Sequence, residues 1–185
     1  NMALDVTAYF RDIRDLAGTR SEEITLFGGS ASYNRLENSD FAYVRGLVLS
    51  LSMIETNGFS ASLDYTFQIA KGSASDPQQA RNAIAGGSLP EIQLTPLDWD
   101  QRNTVNMSLA FDRSNWGISG IAQFGSGLPY TPLSTEDISS LVLNSGKKPL
   151  TLNVDLKGYF IPRDGLRLFI RAENIFDRLN PYTVY

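Results

Sequence analysis

Residues 59–70, FSASLDYTFQIA, alternate apolar and polar side chains almost without error. Phe59, Ala61, Leu63, Tyr65, Phe67 and Ile69 fall on one face, and Ser60, Ser62, Asp64, Thr66 and Gln68 on the other. A period of two belongs to a β-strand with one greasy and one wetted side. Its span of about 10 to 12 residues is also what a tilted strand needs to cross the hydrocarbon core of a bilayer.

The pattern recurs along the chain. Residues 3–13 set Leu4, Val6, Ala8 and Phe10 against Asp5, Thr7, Tyr9 and Arg11, and residues 41–54 set Leu47, Leu49, Leu51 and Met53 against Gly46, Val48, Ser50 and Ser52. Residues 102–111 set Val105, Met107, Leu109 and Phe111 against Thr104, Asn106 and Ser108. A fifth segment aligns Trp116, Ile118, Ala122 and Phe124, with Gly120 and Gly125 marking a bulge or bend. The sixth sets Leu150, Leu152, Val154, Leu156 and Phe160 against Thr151, Asn153, Asp155, Lys157 and Tyr159. The seventh sets Leu166, Leu168, Ile170 and Ala172 against Arg167, Arg171 and Glu173. The fold predicted is all-β: an antiparallel up-and-down transmembrane β-barrel, of which this chain supplies a part of about seven strands.

Connection lengths support that reading. Short links are expected at 55–58, where Asn57-Gly58 suits a primed hairpin turn, at 112–115 and at 162–165. Long loops are expected at 14–40, 71–101 and 125–149. The first carries Gly18, Gly28-Gly29 and Asn38 and reads as too long for a hairpin turn; the second has room for a short helix at 78–85, and the third holds an apolar patch at 138–143. Short periplasmic turns alternating with long extracellular loops are characteristic of outer-membrane barrels. In that setting Leu49, Leu51, Leu63, Tyr65, Phe67, Ile69, Leu109, Phe111, Ile118, Leu152, Val154, Leu168 and Ile170 are expected to face lipid. Asp64, Asp155, Lys157, Arg167, Arg171 and Glu173 are expected to line a hydrated lumen. Trp116, directly after a short turn, suits an interfacial girdle.

Composition narrows the chemistry. The mean hydropathy of −0.17 is uninformative, because the two halves of an alternating strand cancel. No uninterrupted apolar run approaches the roughly 18 residues of a membrane helix. A net charge of −4 argues against nucleic acid as a partner. With 0 histidine and 0 cysteine, imidazole-assisted hydrolysis, thiolate metal sites and disulfides are excluded within these residues. No catalytic residue and no cofactor is expected.

Several segments resemble the C-terminal barrel of a TonB-dependent outer-membrane receptor. Ala172-Glu173-Asn174-Ile175-Phe176-Asp177 followed by Asn180-Pro181 resembles that family's penultimate-strand ending. Leu97-Asp98-Trp99-Asp100-Gln101-Arg102-Asn103-Thr104 is similar to its entry from a long loop into a descending strand, where the family often has histidine at the place of Asn103. Residues 4–13, 65–72 and 125–132 are similar to other stretches of that barrel, in the expected order. The resemblance implies a location in the bacterial outer membrane, a plug domain inside the barrel, and energised import through TonB of a scarce ligand such as a ferric siderophore, cobalamin or a glycan. Such receptors have 22 strands, a plug and a TonB-contacting segment. This chain shows about seven strands and neither other part, so these and an export signal are expected elsewhere in a parent chain.

Edge chemistry points the same way. An open sheet in hydrocarbon would leave N–H and C=O groups unpaired at several kcal/mol each, so further strands must close it. A passive porin and a soluble β-sheet binding module are the alternative functions.

Two local features suggest sites. Asp98 and Asp100, one residue apart, could hold Ca²⁺, or could be a solvated loop with Arg102 as charge partner; the missing glycine and ligand spacing favour the second. Trp99 and Tyr130, in long loops, are candidates for ligand contact. Gly28-Gly29 and Gly125-Ser126-Gly127 lack the lysine and helix of a phosphate loop and read as turns.

Overall fold

The computed structural model describes residues 1–74, 94–132 and 143–180, with only the backbone of residues 20–23. In chain order the elements are β1 (Met2–Leu26), a 3-10 turn (Phe27–Gly29), β2 (Ala31–Thr56), β3 (Phe59–Gly72), β4 (Thr95–Pro96), β5 (Asn103–Asp112), β6 (Trp116–Gly125), β7 (Pro129–Tyr130), β8 (Gly146–Lys147), β9 (Thr151–Arg163) and β10 (Leu166–Ala172). The long strands form one sheet in the order β1-β2-β3-β5-β6-β9-β10, each antiparallel to its neighbour. β4 adds to the end of β3, and β7 pairs with β8 in a separate two-stranded sheet. The fold is therefore all-β, antiparallel and up-and-down, with no α-helix among the described residues. The helix expected at 78–85 and most of the apolar patch at 138–143 lie outside the described residues.

Three short connections gather at one end. Asn57 and Gly58 link β2 to β3 with φ of 55° and 84°, the two positive angles of a primed turn. Residues 113–115 link β5 to β6, and 164–165 link β9 to β10 with Gly165 at φ 78°.

The long loop expected at 14–40 is not a loop. β1 and β2 continue through it as one hairpin, in register from Met2↔Met53 to Leu26↔Ala31, with irregularities after Ile13 and Thr19. β3 follows β2 only as far as Ala42↔Gly72, so beyond that point the two strands pair with each other alone. The result is a two-stranded arm standing beyond the sheet. Ser73 fastens its base: its Oγ donates to Asp40 Oδ1 at 3.0 Å and accepts from the Phe41 N–H at 3.1 Å.

The buried core is small and lies at this same end. Ala42, Val44, Ala70 and Leu97 are buried, with Tyr9 and Ile13 packed against them. The pairing Val44↔Ala70 places it on the face that also carries Ser50 and Asp64. Leu97 arrives from the segment after β4, where its N–H donates to the Ala70 carbonyl at 3.1 Å.

Candidate functional site

Register divides the sheet into two chemically opposite faces. One row runs Leu4↔Leu51↔Leu63↔Met107↔Ala122↔Val154, and the next runs Val6↔Leu49↔Tyr65↔Val105↔Phe124↔Leu152. Toward the short turns lie Phe59↔Phe111↔Ile118, then Trp116↔Phe160↔Leu168. Phe67, Ile69, Leu109 and Ile170 occupy the same face, so all thirteen apolar positions picked out from the alternation share it. Many are open to solvent, Ile118 at 49% and Ile170 at 73%. The elements in substantial contact are all sheet neighbours, with no second layer among the described residues.

The opposite face is polar, and its charges are not evenly spread. Lys157 and Arg171 stand opposite each other across β9 and β10, and Arg171 pairs with Glu173 at 2.8 Å. The Arg167 guanidinium lies 3.9 Å over the Tyr159 ring, whose hydroxyl donates to Asp112 Oδ1 at 2.8 Å. Five of the six charged residues expected on this face, Asp155, Lys157, Arg167, Arg171 and Glu173, thus lie on the β9–β10 hairpin or directly after it.

The two aspartates have partners of their own. Asp64 accepts from Ser50 Oγ at 2.6 Å. Asp155 accepts from the Asn174 N–H at 2.9 Å and Asn153 Nδ2 at 3.2 Å. It thereby anchors the segment after β10. That segment continues along the edge of β9, where the Asn180 amide imitates a peptide: Oδ1 accepts from the Leu152 N–H at 3.0 Å and Nδ2 donates to its carbonyl at 3.1 Å.

At the far end, residues 94–103 fold over the polar face. Asp100, only 1% exposed, accepts from the Ala70 N–H at 2.7 Å and pairs with Arg102 at 2.6 Å. Asp98 Oδ1 accepts from Asn144 Nδ2 at 2.7 Å instead. The two carboxylates therefore serve different partners rather than converging on a cation, and no cluster of metal-ligating groups occurs among the described residues. Asn144, held at φ 55°, also donates to the Pro96 carbonyl at 2.7 Å and takes a bond from Thr131. It joins the β7–β8 hairpin, which carries Tyr130, to the segment that carries Trp99.

Trp99 is 46% exposed, and its carbonyl accepts from the Gln101 N–H at 2.7 Å. The Tyr130 ring instead lies against Gly146, where a Cβ would meet it. Of the two aromatic candidates, Trp99 offers the freer ring.

Between the Lys157, Arg167 and Arg171 group and this cover lies a row of amides that starts from the Asp64 carboxylate. Asp64↔Asn106↔Gln123↔Asn153 cross four strands in register, with Thr66↔Thr104↔Gly125↔Thr151 directly above. A cavity of about 410 Å³ opens here, lined by Gln101, Thr104, Asn106, Gln123, Thr151, Asn153 and Asn180 with Phe124 and Gly125. Alternation alone marks Thr104, Asn106 and Asn153 as polar-face residues; their convergence depends on register across strands far apart in sequence. A second cavity of about 360 Å³ sits at the base of the arm among Asp12, Arg14, Asp15 and residues 38–41. There Arg14 pairs with Asp12 at 2.8 Å, and the hydrogen bond to that carboxylate raises the guanidinium pKa above its ordinary value.

No protein-family model matches this chain, and no curated protein matches it in sequence.

Proposed function

We propose that this chain is part of the barrel of an outer-membrane active-transport receptor, whose apolar face meets lipid and whose polar face lines the transport lumen. The observation that carries the reading is the apolar belt across seven strands, interrupted only toward its loop end by Arg45 and Asn103, backed by a polar face and covered by no second layer among the described residues. From Phe59 to Ile69 the belt runs about 34 Å along the strand. At a tilt of about 45° that is about 25 Å of height, the thickness of the apolar band of an outer-membrane barrel. Phe59, Phe111, Trp116 and Phe160 lie at the short-turn end, with the Phe111 and Trp116 rings 5.5 Å apart, and Phe10, Tyr65, Phe67 and Phe124 lie toward the other. These fit the aromatic girdles at the two water interfaces.

The outer edges of β1 and β10 have no partner among the described residues. In a bilayer they require neighbouring strands, which a larger parent barrel supplies. The TonB-dependent receptor reading adds a plug, a TonB-contacting segment upstream, and import of a scarce cargo such as a ferric siderophore, cobalamin or a glycan. Its support is the resemblance carried by residues 97–104 and 172–181. Both segments do structural work that suits it: the first covers the loop end of the polar face, and residues 174–180 of the second extend along the edge of β9.

Chemistry in this reading is non-covalent recognition and gating. The test is cargo uptake by cells carrying the complete gene, with and without TonB. Uptake that requires TonB supports the receptor; uptake indifferent to TonB assigns a passive porin; a gene product that is folded and monodisperse without detergent assigns a soluble module.

A further inference from the structure

Cations and the amide cavity occupy different parts of the polar face. Lys157, Arg167 and Arg171 lie toward the short-turn end of β9 and β10, whereas the 410 Å³ cavity has no ionisable side chain in its lining and is flanked by two carboxylates, Asp64 and Asp155. An anionic cargo leaving water calls for cations that replace its hydration, ideally guanidinium forks. This cavity offers amides and hydroxyls instead. Asn106 and Gln123 each present a donor and an acceptor, and neither side chain is hydrogen-bonded to another described residue. Asn153 is oriented by Asp155 at 3.2 Å, and Gln101 by the Ser126 carbonyl at 3.0 Å.

Spacing adds specificity. Asn106, Gln123 and Asn153 are direct cross-strand partners, so the amides repeat about every 4.8 Å and span about 10 Å. That is a comb able to take several hydroxyls of one extended ligand, each amide matching a vicinal donor and acceptor. The Gln101 amide folds across Gly125, where a Cβ would meet it, and so caps the comb above its middle tooth.

We propose that the Asn106–Gln123–Asn153 strip is a binding station for a neutral, polyhydroxylated ligand, an oligosaccharide, on the wall of the transport path. The station rests on the transport reading of this face and selects a cargo class within it. Gln101 and Thr104 complete the hydrogen-bonding edge, and the charged side chains of Lys157, Arg167 and Arg171 take no part in binding.

The experiment uses the complete gene product in detergent micelles, with maltohexaose, cellohexaose, xylohexaose and ferric citrate as probes in calorimetry. At least one saccharide binds, and the double variant N106A/Q123A weakens that binding at least tenfold while Lys157→Ala leaves it unchanged. Because the 185 residues contain 0 cysteine, a thiol at Thr151→Cys, in the cavity lining beside the three amides, reports occupancy directly. The bound saccharide slows its maleimide labelling at least fivefold and leaves Lys157→Cys labelling unaffected. Binding of ferric citrate without any saccharide overturns the proposal while leaving the transport reading intact, as does saccharide binding unaltered in N106A/Q123A. A product that is monodisperse without detergent removes the transport reading and the station with it.

Discussion

β1 and β2 belong to two different structures along their own length. Below Ile13 and Ala42 they are members of a seven-strand wall with one apolar and one polar face; above it they form an arm paired only to itself. In the wall, apolar side chains keep a period of two because the two sides meet different surroundings. In the arm, Leu16, Leu26, Phe27 and Leu36 are exposed without a common face. The backbone ladder continues there, while the selection that writes alternation does not. Strand geometry and strand patterning are thus separable, and only the second reports an environment.

The sharpest break of that comparison is a cation placed on each part. On the proposed membrane reading, Leu63→Lys, at the middle of the belt, is expected to lower stability by about 2–4 kcal/mol, the depth-dependent cost of a lysine facing lipid at the midplane. Leu36→Lys in the arm should stay within about 0.5 kcal/mol. Urea unfolding of the complete gene product in lipid vesicles measures both. Equal effects would remove the distinction between wall and arm.

Next in size is Asp100→Ala. It leaves the Ala70 N–H without its acceptor and Arg102 without its counter-charge, a loss of about 2–3 kcal/mol. Asp100→Asn, which retains one acceptor, should recover part of it in the same unfolding measurement.

Two glycines sharpen the contrast further. The Tyr159 ring lies across Gly117, so Gly117→Ala must displace it and is expected to cost about 1–2 kcal/mol of global stability. Gly28 at the arm's tip has open space around it but φ of 68°. Gly28→Ala should strain the tip by about 1 kcal/mol and leave the unfolding midpoint of the wall unmoved. Hydrogen exchange at residues 24–33 separates the local from the global effect.

Ser73→Ala is expected to be the smallest change. It removes the hydroxyl's bonds to Asp40 and to the Phe41 N–H but keeps the backbone bond from Ser73 N–H to the Phe41 carbonyl, so amides of the arm should exchange several-fold faster while those of 59–70 keep their rates. Uniform acceleration across the sheet would mean that arm and wall open together.

The wall was legible in the sequence because Leu47 to Met53, Phe59 to Ile69 and Val105 to Phe111 each repeat every second residue between turn signals such as Asn57-Gly58. The arm was not, since with water on both sides residues 14–40 show polarity and glycines but no period, and those cues read as a loop. The Asp100–Arg102 pair could be anticipated from their spacing. That Asp100 also holds the Ala70 N–H could not, because only β3 folded beside the loop brings that donor near. Asp155 shows how a face assignment falls short of a role: it lies on the polar face, yet its oxygen is taken by Asn174. Asn144 carried no signal at all, its partners Pro96 and Asp98 lying more than 40 positions away. Asn106 is legible as a polar-face residue of its strand and Gln123 carries no signal; only register sets them side by side.

The most direct measurement returns to β3. Cysteines introduced singly from 59 to 70 in the complete gene product, spin-labelled and reconstituted in vesicles, report exposure to oxygen dissolved in lipid and to a water-soluble nickel chelate. The lipid-facing assignment predicts a period of two, with 61, 63, 65, 67 and 69 open to oxygen and 62, 64, 66 and 68 open to nickel. Odd positions shielded from both reagents, or a profile without alternation, would contradict it.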